Sequence, residues 1–403
     1  MELQTGYERL LRQADRIHRF PAKMTPRLAY SFLKPIVDSR GARQIRFHDP
    51  MCGSGSSALV ARSLGLTVSA CDILYPAFVI TKAKLIRLSN ASVEEMTCSC
   101  SNIQPSGKTK PKHLWTNWRI WFAPRVLRCL EDVADQIYGI RQEEFFPHLV
   151  TALFQAIWDV SAADKNVLVP TRSPYSRTPP NLRPKNVLDV FRRRLSRIVL
   201  AQDALGALDV SFQCPEVHQV NSLTEDGWGG EKKDVILSSP PYGCGIDYER
   251  IFRLQMRLWT RFLDEDSIYP KSQFVGRTSH IEAGEEALPD SEIDSKWFRN
   301  ISNANPARLK AFIQYVSDLR SFLDCCARHL SKTGILGLVI GNPQIARQEV
   351  PLTRIVQKLA EEEGLVLETR PHCDPIKTRT QNLRLRSATG PIREEFLLSF
   401  SFR

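Results

Sequence analysis

The stretch Asp49-Pro50-Met51-Cys52-Gly53-Ser54-Gly55-Ser56-Ser57 decides the fold. It lies between Ile45–His48, which reads as a short strand, and Ser56–Leu64, which reads as a helix. Glycines at such a junction let the backbone turn tightly and come close to a ligand. A second strand, Leu66–Cys71, follows and ends at Asp72, where a ribose-binding carboxylate falls in dinucleotide folds. A carboxylate there can accept hydrogen bonds from both ribose hydroxyls. The loop does not read GxGxxG, and it lacks the Lys-Ser/Thr of a phosphate-binding P-loop.

Outward from this loop the texture is β–α. Met24–Asp38 reads as a helix weakened near its end by Pro35, and Ile80–Ser89 as another. This order implies a parallel sheet. After residue 215 the same texture returns. Glu216–Val220 and Asp234–Leu237 read as strands and Asp247–Phe262 as a helix. Residues 263–305 read as a long polar loop region, Asn305–Leu330 as an amphipathic helix, and Gly334–Ile340 as an apolar strand. Leu352–Glu363 reads as a helix, Leu365–Thr369 as a strand, and Glu395–Phe402 as a last strand suited to an antiparallel edge.

Between these halves the pattern is helical, over Pro124–Ile140, Glu144–Val160 and Asn186–Ala201. The Pro-rich, basic stretch 170–184 cannot be regular structure. The expected organisation is residues 1–97 as the cofactor-binding half, 98–215 as a mostly helical insertion, and 216–403 as the catalytic half.

The 403 residues carry a net charge of +11. Lys165, Arg172, Arg177, Arg183, Lys185, Arg192, Arg193, Arg194 and Arg197 are opposed in that segment only by Asp189. Such a stripe suits a polyanion; the plainer alternative is a solvated helix face with a flexible loop. The ten cysteines include no pair of CxxC motifs, so no structural zinc site is expected. No run reaches the ~18 uncharged apolar residues of a membrane helix, and the N-terminus lacks a signal-peptide core. A cytoplasmic protein with reduced thiols is expected.

Asp234-Val-Ile-Leu-Ser238-Ser239-Pro240-Pro241-Tyr242 reads as a buried strand broken by two prolines. Prolines supply no N–H donors, which leaves nearby carbonyls unclaimed. An exocyclic base amino group is a poor nucleophile until acceptors hold its two hydrogens. The Ser239 hydroxyl and the Pro240 carbonyl are candidates for that role, and the Tyr242 ring for stacking on the base. Rate would then come mainly from in-line positioning.

The loop and Ser-Pro-Pro-Tyr together resemble the signatures of S-adenosylmethionine-dependent amino-methyltransferases of DNA. So does Ile17-His-Arg-Phe-Pro-Ala-Lys-Met24, with Phe20 where Tyr is usual. The resemblance is dense at 17–24, 47–72 and 234–254. It implies a Rossmann-like class I methyltransferase sheet, α/β, with a mostly helical insertion. It places Phe20, Ala22, Lys23, Asp49, Cys52, Gly53, Ser54 and Gly55 near the cofactor's methionine part, Asp72 on the ribose, and Asn221 near the adenine. Ser239, Pro240, Pro241 and Tyr242 are the implied catalytic residues. Ser in the first place is typical of cytosine-N4 enzymes, and Asp or Asn of adenine-N6 and several RNA enzymes. Val339-Ile-Gly-Asn342, Trp121-Phe-Ala-Pro124 and Gly276-Arg-Thr-Ser-His280 also look like this family, and Arg277 joins the stripe as a candidate DNA contact.

The implied partner is double-stranded DNA with the target base flipped out, the insertion and the 263–305 loop reading it. A cognate restriction endonuclease is a further candidate partner. Adenine-N6 or RNA amino methylation, or an inactive nucleic-acid binder, are the rival readings. Cytosine-C5 chemistry is argued against, because it needs a cysteine nucleophile normally presented as Pro-Cys, and the chain has only the reverse, Cys214-Pro215.

Overall fold

The computed structural model describes residues 5–172, 178–210, 214–243, 247–293, 295–368, 372–375, 389–390 and 394–403. The chain opens with helices α1 (Thr5–Asp15) and α2 (Pro26–Arg40), then β1 (Arg46–Asp49), α3 (Ser56–Ser63), β2 (Thr67–Cys71), α4 (Tyr75–Leu85) and α5 (Asn90–Asn102). Helices α6 (Pro124–Gly139), α7 (Phe146–Val160) and α8 (Pro184–Ala207) follow, then β3 (Glu216–His218) and β4 (Lys233–Ser238). Next come α9 (Tyr248–Ile251), α10 (Arg253–Trp259), α11 (Lys296–Ala304), α12 (Pro306–His329) and β5 (Leu330–Ile340). The rest is β6 (Gln344–Ile345), β7 (Gln348–Glu349), α13 (Leu352–Glu362), β8 (Leu365–Leu367), β9 (His372–Pro375), β10 (Thr389–Gly390) and β11 (Glu394–Phe402).

Among the described residues the main sheet has the order β3-β2-β1-β4-β5-β11-β8, with β9 also on β11. Strands β3, β2, β1, β4 and β5 run parallel, and β11 runs antiparallel to both β5 and β8. This is an α/β Rossmann-like sheet, parallel in its first five strands, as the loop and its flanking strands foretell. The second sheet, β10-β6-β7, is small and antiparallel.

A parallel sheet covered on both faces needs strands that are apolar on both sides. Strand β4 meets this: Val235 and Leu237 join the cluster under α1–α3, while Ile236 joins that under α11–α13. Helices α4–α7, the first part of α8 and α10 share a third cluster around Leu153, Phe154 and Trp259, while the end of α8 (Ala204, Leu205) packs into the α1–α3 cluster.

Several boundaries differ from the sequence expectation for local reasons. Helix α2 starts at Pro26 because the Thr25 side chain accepts from the Leu28 amide and caps it, and Pro35 does not end it. Helix α4 starts at Tyr75, with Pro76 in its first turn, so it ends before Ser89. Ser89 instead caps α5 by accepting from Ser92 N–H, a helix the sequence reading left out. The stretch 263–305 is not wholly loop: Ser295 caps α11, which buries Trp297, Phe298 and Ile301. The helix expected over Asp247–Phe262 breaks at Phe252 into α9 and α10. Thr369 lies outside the described residues.

Candidate functional site

Ligands of open parallel sheets bind beyond the carboxyl ends of the strands, and the candidate residues gather there. Strand β1 ends at Asp49, β2 just before Asp72, β3 shortly before Asn221 and β4 just before Ser239. Phe20, Ala22, Lys23, Asp49, Cys52, Gly53, Ser54, Asp72, Asn221, Ser239 and Pro241 all line one cavity of about 860 Å³, open to solvent. Gly55 does not line it. It sits at φ +71° as the turn into α3, and a Cβ there would lie 2.8 Å from Thr81. Pro240, between the lining residues Ser239 and Pro241, is buried and does not line the cavity.

The loop is held by carboxylates. Asp72 accepts from the amides of Gly53 and Leu74, each at 2.9 Å. Each of its oxygens keeps a lone pair for a ligand. Asp49 accepts from the Met51 amide at 3.2 Å, from Ser238 Oγ at 2.8 Å and from the Ser57 hydroxyl. Asp49 therefore ties the loop to β4, the strand that carries Ser239. Burial pushes both carboxyls up to about 6, against the hydrogen bonds that favour the ionised forms.

Beneath the loop lies a network that sequence reasoning missed. Asp15, buried at the end of α1, accepts from Lys84 Nζ at 2.7 Å, from Ser56 Oγ at 2.6 Å and from Lys23. Burial alone would raise the Asp15 carboxyl, but Lys84 and Lys23 outweigh it and hold it well below the usual range. Burial brings Lys84 down to about 8 despite Asp15. The Lys23 ammonium is thus turned to Asp15 and its backbone carbonyl, while its stem borders the cavity. No periodicity marks this cluster, because its members lie 8 to 69 residues apart.

Phe20 stacks on Tyr248 at 5.9 Å between ring centroids and tilts against Phe252 at 5.3 Å. Tyr248, Ile73, Leu74 and Phe274 complete the apolar wall. Ile73 and Leu74 were findable, since they directly follow Asp72; Phe274 comes from a stretch with no periodic signal. Gly276, at φ +81°, lets this loop close on the turn that follows β4: a Cβ there would lie 2.7 Å from the Gly243 carbonyl.

Tyr242 does not present its ring to the cavity. The ring packs against the α11–α13 cluster. Its hydroxyl lies 2.9 Å from Ser239 Oγ and donates to Glu395 Oε1 at 3.1 Å. Burial, and then the charge of Glu395, push the phenol well above its ordinary range, so it stays protonated.

The basic candidates separate. Arg172, Arg183, Lys185, Arg193 and Arg197 are exposed. Arg192 donates to the Ser101 carbonyl at 3.1 Å, and Arg194 makes a bidentate pair with Asp159 at 2.5 and 2.7 Å. Arg277 is not offered to solvent: it bonds Asp318 on α12 at 2.8 Å, with side-chain exposures of 10% and 7%. Arg177 lies outside the described residues. Helix α1 adds a basic face unseen in the sequence: Arg9, Arg12 and Arg16 line an open groove with Arg197, and Gln13 bonds the Leu200 carbonyl at 2.6 Å.

Among the described residues no cluster of three His, Cys, Asp or Glu suits a metal, and no helix is long and apolar enough to cross a membrane.

The chain is 23% identical over 377 residues to the Type II methyltransferase M.MvaI of Kocuria varians, across 85% of this chain and 80% of that protein. No family model matches it. TrmN from Thermus thermophilus superposes with a TM-score of 0.33 at 12% identity, over 98% of this chain and 53% of that one, so this chain spans about half its length. The rRNA methyltransferase aviRa from Streptomyces viridochromogenes gives 0.34 at 11% identity, over 99% and 94%. The chain is thus similar over most of its length to a methyltransferase, and its sheet carries a cavity at the carboxyl edge of the parallel strands.

Proposed function

We propose that the protein transfers a methyl group from S-adenosylmethionine to the exocyclic N4 amino group of cytosine in DNA. The observation that carries this reading is the single cavity. It is walled at one end by Asp72 and the glycine loop, and it also receives Ser239 and Pro241. Donor site and acceptor site therefore meet in one space, as in-line transfer requires.

The residues fit the cofactor. Asp72 keeps two acceptor positions for ribose hydroxyls, Phe20, Tyr248, Ile73 and Leu74 give an apolar wall, and Asn221 offers a polar edge. Lys23 has its charge occupied by Asp15, so it shapes the pocket rather than repelling a cationic ligand. When bound, the cofactor supplies a methyl group on a sulfonium centre. This chain then orients the base amino group. Ser239 Oγ accepts one N–H, and the Pro240 carbonyl, which heads a dipeptide without strand partners, is the proposed second acceptor.

The base must leave its duplex to reach this cavity. The proposed recognition block is 98–215 with the loop 263–305. Arg172, Arg183, Lys185, Arg193 and Arg197 are the proposed backbone contacts, joined by Arg9 and Arg16 along the α1–α8 groove. Phosphate contacts of this kind position the duplex and carry little sequence information. The likeness to a Type II methyltransferase supports DNA as substrate; a cognate restriction endonuclease as partner and a place in the cytoplasm belong to the same proposal. Incubating the protein with S-adenosylmethionine and DNA, then identifying the modified nucleoside by mass, tests the reading. N6-methyladenine, or methyl transfer to RNA alone, would replace the substrate and leave the transfer mechanism standing.

A further inference from the structure

We infer that Glu395, on the last strand, is a positioning residue that sets the hydrogen-bond polarity of Ser239 through the Tyr242 hydroxyl and takes up the proton released by the methylated amino group. The inference rests on the amino-transfer reading above and names a residue which that reading does not use.

The fold explains how a residue 153 positions beyond Tyr242 arrives there. Strand β11 runs antiparallel to β5, with Phe396 beside Ile340 at the end of β5. The start of β11 therefore lies at the carboxyl edge of the parallel strands, next to the turn that follows β4. A parallel last strand would have brought its end to this edge instead.

The direction of the chain follows from donor counting. An ionised carboxylate only accepts. The single Tyr242 proton is given to Glu395 at 3.1 Å, so the Tyr242 oxygen can only accept from Ser239 at 2.9 Å. The Ser239 proton is thereby committed away from the cavity. Its remaining lone pairs face the space it lines, ready to accept from an N–H. Without this bias a serine hydroxyl rotates freely and can donate into the cavity, opposing an amino group that also donates. The raised phenol of Tyr242 keeps the middle group a donor across the working range.

The same chain gives the proton an exit. As the amino nitrogen bonds the methyl carbon, that carbon's bond to sulfur breaks with its electron pair left on sulfur. The nitrogen, now cationic, is strongly acidic. Its proton passes to Ser239 Oγ as the Ser239 proton passes to Tyr242 and the Tyr242 proton to Glu395. The products are a neutral methylated amine, unchanged hydroxyls at Ser239 and Tyr242, and a protonated Glu395, which returns its proton to water.

The test compares wild type, Glu395→Gln, Tyr242→Phe and the double variant by single-turnover methylation of DNA, with cofactor and DNA affinities measured separately. Each single variant should slow transfer about ten- to a hundredfold, the loss expected from one charge-assisted hydrogen bond, with both affinities unchanged. The double variant should be no slower than the worse single one, because the two groups act as one chain. At saturating cofactor, wild type should lose rate at acid pH, since a Glu395 that is already protonated cannot take up the relayed proton, and Glu395→Gln should lack that loss. Wild-type rates in Tyr242→Phe, additive losses, or an undiminished acid-side loss in Glu395→Gln at saturating cofactor would overturn the inference while the function stands. A wild-type protein that methylates no base amino group would remove both.

Discussion

The loop at Asp49–Gly55 is fixed by bonds along its length, whereas α8 sends three consecutive arginines to three different surroundings. Asp49 and Asp72 hold the loop through Met51, Ser57, Ser238 and Gly53. Arg192 bonds the Ser101 carbonyl, Arg194 pairs with Asp159, and Arg193 alone of the three is exposed rather than half-buried. A helix turns about 100° per residue, so neighbours in sequence cannot share a face. A loop between a strand and a helix has no such freedom, and its residues stay together. Chemistry at a strand end can therefore be read as a unit, but a charge run on a helix must be read one face at a time.

The largest expected effect sharpens the loop side. Ser239→Ala should lower single-turnover transfer about ten- to a hundredfold, with cofactor affinity unchanged, because the hydroxyl matters most as the nitrogen becomes tetrahedral. Cys214→Ser should leave activity intact, since no covalent step is proposed; loss of activity with a trapped protein–DNA adduct would break the mechanism.

Arg277 tests the arginine side. Its pairing with Asp318 is nearly buried, so Arg277→Ala should destabilise the protein by about 3 kcal/mol in denaturant unfolding. A stable variant with weakened DNA binding would return Arg277 to the contact surface.

Asp72→Ala should cost about 1.5–3 kcal/mol of cofactor binding, roughly tenfold to a hundredfold by calorimetry, and leave DNA binding alone. The pH dependence has a definite sign. Asp72 must be ionised to accept two ribose hydroxyls, and its carboxyl stands at about 6. Cofactor affinity should therefore fall as pH is lowered through about 6. An affinity flat from pH 5 to 8 would take Asp72 out of the site.

The smallest effects separate the arginines themselves. Arg193→Ala and Arg197→Ala should each reduce the slope of log affinity against log salt by up to about 0.9. Arg194→Ala should leave the slope alone and loosen α7 against α8 instead, since its charge is spent on Asp159. Equal slopes in all three variants would erase the distinction between faces.

The sheet was legible because three of its five parallel strands, β1, β2 and β4, announce themselves as short apolar runs that stop at or just before a candidate site residue: Asp49, Asp72, Ser239. The residues that line the cavity were legible for the same reason, since Asp49–Ser54 and Asp72 sit where strands stop. What escaped depends on tertiary approach. Asp15 and Lys84 meet only after α1 and α4 pack, and Glu395 reaches Tyr242 only because β11 runs against its neighbours. The expectation that the Tyr242 ring faces the base came from the motif alone; the fold turns that ring into the core and leaves the hydroxyl at the site. Helix α11 hid because its apolar residues Trp297, Phe298 and Ile301 occupy a single turn within a polar stretch.

The most direct test is nucleoside analysis of DNA methylated by the purified protein with isotopically labelled S-adenosylmethionine. The account predicts labelled N4-methylcytosine, formed about ten- to a hundredfold more slowly in the Ser239→Ala reaction. Labelled 5-methylcytosine, or no labelled base with cofactor bound, would contradict it.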